Sequence, residues 1–300
     1  MRLIYIANAR IPTEKAHGVQ IIKTCEALAK VGCELEVWLP DRKQLTSLAD
    51  TDLFGFYGCE EIFKVKKIPT VDLFSVTAKV GGIFDVLAYL LQELSFILSI
   101  LFQDYERRPV YARSLGAAII SKFCHHVPVI LEVHDLPKNK FFRRIYRSIL
   151  ERFDGIVTVT EGLKKILSFS PEIPVTVITN AVDIPKYLSV NREEARKTLS
   201  FPVSEKIVMY TGSVIQNRGV DTFLKAAELL KDSNTTFILV GRMDNYGEAK
   251  MKEFKSKESL KHVHFVGYIS PSKIYLYQKA ADILVIPSGK GTYPWDNYGT

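Results

Sequence analysis

The chain places glycines and polar side chains directly after short aliphatic and β-branched runs, where strands are expected to end. The most informative segment is Val208–Ala227, whose pattern is a strand, a glycine turn, a polar loop with Arg218-Gly219, and an amphipathic helix. A helix N-terminus at the end of a strand offers unpaired N–H groups and the positive end of a dipole, and a guanidinium adds charge. The segment therefore predicts a phosphate site with Gly212, Ser213 and Arg218.

The loop Asn8–Gln20, between the first strand and the first helix, is a second candidate. Gly18 would let the backbone approach a ligand where a Cβ would obstruct it. The polar candidates in this loop are Glu14, Lys15, His17 and Gln20. The loop lacks the G-x-G-x-x-G pattern of a dinucleotide site. A solvated loop that uses its glycine for the turn is an equally good interpretation.

His134 lies in the segment Leu131–Asp135, at the predicted tip of a buried strand. A histidine there can donate a hydrogen bond to a sugar hydroxyl or polarise a leaving group, although a single histidine is more often bonded to nearby backbone. Asn180 follows the last strand of the first half. It suits either a ligand contact or a turn that it stabilises itself.

Two more strand ends lie in the second half of the chain. Gly241 ends one strand, and Gly267, Tyr268 and Ile269 follow another, where backbone groups could meet the edge of a nucleobase. Arg242, beside Gly241, is better explained as a solvated side chain. The sequence shows no metal-ligating constellation, no P-loop and no G-x-S-x-G motif.

Strands and helices alternate along the chain, which predicts parallel sheets covered by helices on both faces. In the first half, strands are expected at Leu3–Ala7, Leu35–Leu39, Ile62–Lys66, Val110–Ala112, Val129–Val133, Gly155–Val159 and Val175–Ile178. Helices are expected at Val19–Val31, Phe84–Phe102, Leu115–Cys124, Phe141–Phe153 and Gly162–Leu167. The polar stretch Asn180–Pro202, with one short charged helix in it, predicts a linker, so domains of residues 1–185 and 186–300 follow.

The second half repeats the alternation. Its expected strands and helices are Ile207–Tyr210, Val220–Leu230, Thr236–Val240, Glu248–Phe254, Val263–Val266, Pro271–Ala281 and Ile283–Ile286. The series stops at Thr300, without a helix to cover the last strand. An open sheet left bare on one face would expose apolar surface, so we expect the chain to be a fragment.

The composition, 47% hydrophobic and 24% charged, is that of a soluble globular protein, and the net charge of +7 permits an anionic partner without choosing one. Four cysteines without a C-x-x-C pair indicate reduced, buried thiols in a cytosolic protein. Basic residues cluster from Arg107 to Arg152; solvated helix faces are favoured, and contact with anionic lipid headgroups is the alternative. We expect Ile83–Phe102 to be buried on most sides, and a membrane-dipping element is the alternative. We expect Phe141–Phe153 to face the core with a solvated basic face, and contact of this helix with a membrane is the alternative.

Five segments together resemble family 4 glycosyltransferases of the GT-B fold. They are TEKAHGVQIIKTCEALAKVG, EVHD, TNAVD, YTGSVIQNRGVDTFLKAA and HVHFVGYISPSKIYLYQKAADILVIPS, which occur in the family's order over nearly the whole chain. The resemblance implies an α/β fold of two Rossmann-like doubly wound domains facing a cleft, the second incomplete. The N-terminal domain would be the acceptor side and the C-terminal domain would bind the nucleotide sugar.

The resemblance also implies a retaining transfer of a sugar from a nucleotide sugar to a polysaccharide or glycolipid acceptor. No metal or other cofactor is implied, and no nucleic-acid partner. By position, His134 matches a histidine near the transferred sugar, and Arg218 matches a lysine that holds the donor diphosphate. Ser213 stands where many members carry an arginine, which removes one cation. The remaining matched positions are Gly18, Gly212, Gly267, Tyr268 and Ile269; the family's acidic Glu-x7-Glu region would follow SGKGTYPWDNYG.

Because the chain ends before that acidic region, we expect these 300 residues alone to be inactive and the longer parent to be active. The protein is expected in the cytoplasm, with peripheral contact at the inner face of the membrane left open. Two other functions remain open: a nucleotide-sugar epimerase of the same fold, and a non-catalytic subunit that binds a nucleotide sugar. A missing dinucleotide fingerprint disfavours an oxidoreductase.

Overall fold

The structure is a computed structural model that describes residues 1–44, 48–72, 83–167 and 172–287, with side chains in the helix that begins at Ile83 described from residue 86 onward. The chain divides after Asn180 into two units, and each has its own parallel sheet. The segment Ser288–Gly299, whose sequence is SGKGTYPWDNYG, and the last residue of the chain lie outside the described residues.

The sheet of the first unit has the strand order β3-β2-β1-β4-β5-β6-β7 in the described part of the chain, and every pair is parallel. Its strands are β1 Arg2–Ile6, β2 Glu34–Asp41, β3 Lys64–Pro69, β4 Val110–Ala112, β5 Val129–Val133, β6 Gly155–Thr158 and β7 Val175–Val177. The central strands β1 and β4 are almost wholly apolar because both faces are covered, as in other parallel sheets, whereas the edge strand β3 carries Lys64, Lys66 and Lys67.

The helices of the first unit connect these strands. They are α1 Ala16–Lys30, α2 Leu53–Tyr57, α3 Ile83–Leu101, α4 Leu115–Ile119, α5 Lys140–Leu150 and α6 Glu161–Leu167, and α4 continues as a π-helical turn over Ile120–Cys124. The chain moves outward from β1 to β3 and then returns to β4 and continues to β7. Right-handed crossovers therefore place α1 and α2 on one face and α3 to α6 on the other.

The α3–α6 face forms the main core. Ile4, Ile6, Trp38 and Phe96 are fully buried there, together with small residues of α4 that let helix and sheet approach closely. Gly116 of α4 is one such point, because a Cβ there would lie 2.4 Å from the Cδ1 of Ile97 on α3. The layer α3–α4–α5 is thus fixed against the sheet by close packing.

Helix α3 was expected to be buried on most sides, and this prediction was wrong. Its outer face exposes a group of large apolar side chains, namely Val86, Leu87, Tyr89, Leu90, Leu91, Leu94 and Leu98. Only one stripe, with Ala88, Gln92, Phe96 and Ile100, is buried. Among the described residues, no helix combines the length and apolar content needed to cross a bilayer.

Helix α5 was expected to turn its apolar residues to the core. Only part of it does, because Tyr146, Ile149 and Leu150 pack inward while Phe141 and Phe142 are exposed. The prediction that all four cysteines are buried was also wrong. All are free thiols, but Cys124 is exposed and only Cys25 is fully buried.

The second unit has a parallel sheet of order β10-β9-β8-β11 in its described part. Its strands are β8 Lys206–Thr211, β9 Thr235–Val240, β10 Val263–Gly267 and β11 Ile283–Leu284. Its helices are α7 Ile184–Leu188, α8 Arg192–Leu199, α9 Val220–Leu229, α10 Asn245–Lys255 and α11 Ile274–Ala280, with a 3-10 turn at Glu258–Leu260. The two sheet faces carry separate cores, one against α9 and α10 and the other against α11.

The predicted linker is wrong for its second half, because α8 is an integral part of the second unit. The guanidinium of Arg196 is almost fully buried and donates to the carbonyl oxygens of Ala280, Val203 and Glu205. Its Nη2 also donates to Asp282 at 2.5 Å. A charged side chain can be buried only when it has several such partners. Arg196 therefore anchors α8 to the rest of the second unit.

Candidate functional site

Ligands of parallel α/β sheets bind at the carboxyl ends of the strands. In the first unit, this edge brings Arg113 after β4 next to Glu132 near the end of β5. The register that pairs Ala112 with Leu131 places these two residues side by side. His134 lies two residues beyond Glu132 and so projects to the same face. The result is a cluster of one carboxylate, one guanidinium and one imidazole.

Glu132 is the centre of this cluster. Its Oε1 lies 2.5 Å from the Nε2 of His134 and 3.4 Å from the Nε of Arg113, and its Oε2 accepts a 2.8 Å hydrogen bond from the hydroxyl of Tyr111. Burial alone would raise the pKa of Glu132, but the hydrogen bond from His134 and the charge of Arg113 bring it below its ordinary value. The residue therefore acts as a nearly buried anion that holds three groups, the imidazole of His134, the guanidinium of Arg113 and the hydroxyl of Tyr111.

The Nε2 of His134 lies between an acceptor and a donor, at 2.5 Å from Glu132 Oε1 and 2.6 Å from the Nη2 of Arg113. Since the carboxylate is an acceptor only and the guanidinium is a donor only, Nε2 donates to Glu132 when it carries a hydrogen and accepts from Arg113 when it does not. His134 is partly exposed, whereas Glu132 and Arg113 are nearly buried, so the imidazole is the accessible end of the cluster.

Beneath the cluster, two tyrosines form a rigid floor. The rings of Tyr5 and Tyr111 stack with centroids 5.1 Å apart. Burial raises the pKa of the Tyr111 hydroxyl, and the nearby Glu132 carboxylate raises it further. Tyr111 therefore stays a neutral donor that orients Glu132.

His17, at the start of α1, belongs to the same edge. Burial lowers its pKa, and the positive charges of Lys15 and Arg113 lower it further. Two predicted site residues, His17 and His134, are thus brought near each other, whereas Lys15 is exposed and Glu14 is half-buried.

Gly18 has a local packing reason for being glycine. A Cβ there would lie 2.3 Å from the hydroxyl of Tyr57 and 2.6 Å from the Cγ2 of Thr13. The Tyr57 hydroxyl accepts a hydrogen bond from the backbone N–H of Thr13. These contacts shape the loop, and the expected approach of Gly18 to a ligand stays a prediction. Asn180 lies exposed beyond β7, two strands from His134.

Sequence reasoning gave no site role to Arg113 and Glu132, and it also missed a polar cluster beyond β1 and β2. There Asn8 donates to the Oε1 of Glu93 at 2.6 Å and accepts from the Nη2 of Arg42 at 2.7 Å. Burial raises the pKa of Glu93 and lowers that of Arg42. The position of Arg113 directly after a strand was the available signal, since all the predicted sites follow strands.

In the second unit, three glycine turns lie in a row along the carboxyl edge. The N–H of Gly212 donates to the carbonyl of Val240, and the N–H of Gly241 donates to the carbonyl of Gly267, both at 2.8 Å. The N–H of Val214 also donates to the carbonyl of Arg242 at 2.8 Å. The predicted residues Gly212, Gly241 and Gly267 are therefore joined through the backbone.

Gly241 is the most constrained of the three. Its φ is +151°, and a Cβ there would lie 1.8 Å from the carbonyl oxygen of Gly212. Only glycine permits this approach of two turns. Gly267 has a φ of +90° but no atom near its missing Cβ.

Helix α9 begins beside the first of these turns. Its N-cap is Gly219, with a φ of +74° and no side chain to bond the first N–H groups. Arg218 precedes it, and Asn217 also has a left-handed backbone, with a φ of +67°. The acidic residue of the first turn, Asp221, accepts hydrogen bonds from Tyr246 and Lys250 of α10. These bonds hold the Asp221 carboxylate against α10, and they lower the pKa of Asp221.

The remaining predicted residues have structural contacts of their own. The carbonyl of Ser213 accepts a 3.0 Å hydrogen bond from the hydroxyl of Tyr210. Ile269 packs on the core between the sheet and α11, so only its backbone faces the edge. Gln278, which sequence reasoning missed, joins Thr211 at the end of β8 to the hydroxyl of Tyr187.

Comparison with known proteins identifies the family. A model described as Glycosyltransferase Family 4 matches residues 17–186, and one described as Glycosyl transferases group 1 matches residues 191–298. The chain belongs to glycosyltransferase family 4. The expected fold class, two Rossmann-like parallel sheets of the GT-B type, is confirmed.

Two curated relatives of this family 4 chain have diacylglycerol in their names. The Alpha-monoglucosyldiacylglycerol synthase of Streptococcus pneumoniae is 24% identical, and the match covers 60% of this chain and 43% of the relative. The Processive diacylglycerol alpha-glucosyltransferase of Acholeplasma laidlawii is 23% identical, with 58% and 56% covered. The chain thus spans about half the length of the curated relatives it matches.

Among solved structures, the Anabaena protein Alr3699/HepE in complex with UDP-glucose is similar. The superposition has a TM-score of 0.63 at 17% identity and covers 96% of this chain and 74% of that protein. At this identity, the likeness concerns the fold.

Proposed function

We propose that this protein transfers a sugar, with retention, from a nucleoside-diphosphate sugar to a polysaccharide or glycolipid acceptor. One observation carries the proposal: the glycine turns of the second sheet lead to the N-terminus of α9, which lacks a side-chain cap and follows Arg218. Such an end suits the anionic phosphates of a donor. The diacylglycerol acceptors in the names of two relatives and the UDP-glucose bound to Alr3699/HepE agree with it.

The chemistry follows from where charge develops. When the bond between the sugar and the diphosphate breaks, negative charge accumulates on the departing phosphate oxygens. Donors fixed in advance around those oxygens stabilise the transition state more than the ground state. We assign this role to Arg218 and to the backbone N–H groups of Ser213 and the first turn of α9, while the N–H of Gly212 is bonded to Val240 and holds the turn in shape. Gly241 holds the Gly212 turn in place.

The turn of Gly267, Tyr268 and Ile269 is assigned to the nucleobase, and Asn180 and Gly18 to other parts of the donor. His134 is assigned to a hydroxyl of the transferred sugar, because its imidazole is the accessible end of the Glu132 cluster. Glu14, Lys15 and His17 are assigned to the acceptor side. The reaction is proposed to take place in the cytoplasm.

We propose that no metal ion is required, since Arg218 and the α9 N-terminus supply the positive charge. A chelator should then leave the transfer rate of the full-length protein unchanged. A loss of activity that Mg²⁺ or Mn²⁺ restores would contradict this.

Calorimetry with UDP, GDP and ADP, on the full-length protein, tests the phosphate site. Arg218→Ala should weaken nucleotide binding by about 10- to 100-fold, because a charge-assisted hydrogen bond contributes about 1.5–3 kcal/mol. The matched control is Arg107→Ala, which removes an exposed arginine of the first unit. Equal affinity in the Arg218 variant would show that the phosphate site is misplaced. Conversion of the donor to its epimer without acceptor would contradict the transferase assignment.

A further inference from the structure

The outer surface of α5 has both apolar and basic exposed side chains. Phe141 and Phe142 are 67% and 59% exposed, and Ile145 of the next turn is also exposed. The neighbouring Phe123, at the end of the π-helical turn after α4, is exposed as well. We call these four side chains the α5 apolar patch. Large apolar side chains grouped in this way mark interaction sites in soluble proteins.

A groove of about 480 Å³ runs between α5 and the segment after α4. Its lining includes the apolar side chains of Ile119, Ile145 and Ile149 and the arginines Arg144 and Arg152. An apolar floor beside two cations suits a molecule with an anionic head and an apolar tail.

The charges around the patch are predominantly positive. Lys138, Lys140 and Arg144 are exposed, and they form no ion pair with the residues that the structure describes. The next arginine is different, since Arg147 is paired with Glu151 at 2.9 Å. The cations nearest the phenylalanines are thus available to an external anion.

We propose that the α5 apolar patch and the cations Lys138, Lys140, Arg144 and Arg152 dock on a bilayer rich in anionic phospholipid. Phe141 and Phe142 enter the boundary between headgroups and acyl chains, and the cations contact the headgroup phosphates. The docking surface is inferred from α5 itself. The reason for docking rests on the proposed function, since a glycolipid acceptor resides in a membrane.

The position of the patch fits that purpose. Only residues 135–139 separate His134 from α5, so the patch begins at the carboxyl edge where the His134 cluster lies. Helix α3, in the same layer, adds exposed leucines on that side of the sheet. Docking through α5 therefore brings the candidate acceptor side of the first unit to the bilayer surface.

A second copy of the chain is a poorer occupant. A two-fold interface through this patch would bring the cations of both copies, Lys140 and Arg144 among them, into one interface. Like charges desolvated together are unfavourable. An anionic bilayer supplies the opposite charge and the apolar environment at once.

Vesicle co-sedimentation of the full chain tests the proposal. We expect binding to vesicles of phosphatidylglycerol mixed with phosphatidylcholine, weak binding to phosphatidylcholine alone, and a loss of binding as salt is raised. The double variant Phe141→Ser/Phe142→Ser should lower the partition coefficient by on the order of 100-fold, because most of two aromatic side chains no longer enter the apolar layer. The double variant Lys140→Glu/Arg144→Glu should lower it at least 25-fold, at about fivefold per basic residue.

Matched controls lie in the second unit. Leu229→Ser removes an apolar side chain that is 86% exposed, and Lys252→Glu/Lys255→Glu reverses two exposed charges of α10. Both should bind vesicles like the parent. Circular dichroism and thermal unfolding of each variant show that it is folded.

Two results would overturn the proposal: equal loss of vesicle binding in patch and control variants, or a dimer in light scattering that the Phe141→Ser/Phe142→Ser variant converts to monomer. Nucleotide calorimetry on the same samples separates this inference from the proposed function. If vesicle binding is absent while UDP binding is intact, only the docking proposal for α5 is contradicted. If vesicle binding is intact while nucleotide affinity is absent, only the transferase assignment is contradicted.

Discussion

Replacing Gly241 by alanine tests whether the three glycine turns act as one unit. The new Cβ would lie 1.8 Å from the carbonyl oxygen of Gly212 and 2.6 Å from its carbonyl carbon. Both are backbone atoms, so no side chain can rotate away to relieve the collision. The Gly212 turn must move, or the strand end at Gly241 must, and the hydrogen bonds of Gly212 to Val240 and Gly241 to Gly267 are then distorted.

The expected cost has two parts. A φ of +151° is strained for any residue with a Cβ, at about 1–3 kcal/mol. Forcing extra volume into a packed place costs typically about 1–3 kcal/mol more. The free energy of unfolding of the second unit should therefore fall by roughly 2–6 kcal/mol. Because the displaced turn is the proposed phosphate site, UDP affinity should fall by at least about 10-fold in the variant that remains folded.

Urea denaturation measures the first effect, and calorimetry with UDP measures the second. Gly32→Ala and Gly267→Ala are the controls for stability, because both glycines have a φ near +90° and no atom lies within 4 Å of the missing Cβ. For UDP affinity the control is Gly32→Ala alone, since Gly267 is assigned to the nucleobase turn. They should lose only the backbone part, about 1–2 kcal/mol. If Gly241→Ala were no less stable than Gly32→Ala, the close approach of the two turns would be refuted.

Two further predictions concern buried carboxylates. Since the folded pKa of Glu132 is lowered, its carboxylate stabilises the protein above its unfolded pKa of about 4.3, and this contribution is lost as the pH falls through the folded value. Glu132→Gln should therefore cost about 1–3 kcal/mol at pH 7 and less near pH 4 in urea denaturation; a difference that does not change with pH would contradict this assignment. Asp282→Asn should destabilise the second unit by about 3–5 kcal/mol, because it leaves the buried Arg196 unpaired. Asp232→Asn, at an exposed position, is its control in thermal unfolding, and equal melting temperatures of the two variants would contradict the anchoring role of Arg196.

The alternation of strands and helices was readable from the sequence, because apolar runs and amphipathic repeats are local properties. The strands Val110–Ala112 and Val129–Val133 were predicted with their observed bounds. The Gly212 and Gly241 turns were also found locally, since glycine is required where the backbone takes a left-handed form or another backbone approaches. Local patterns therefore determined the fold class and the strand ends that carry the candidate sites.

The grouping of residues around His134 depended on strand register. Arg113 and Glu132 are 19 positions apart, and only the pairing of β4 with β5 places them side by side. Their role could not be predicted, because a residue at a strand end gives no sign of which residue the adjacent strand aligns with it.

Burial of individual side chains could not be predicted from the sequence either. The charged stretch around Arg196 and the apolar faces of α3 and α5 are the examples. A charged helix was taken for a linker, yet carbonyl groups and Asp282 surround its arginine. Two apolar helices were taken for core elements, yet the sheet and α4 cover only part of each. Hydrophobic periodicity tells which residues share a face of a helix. What that face meets is decided by the neighbouring elements, and those are set only when the whole sheet has formed.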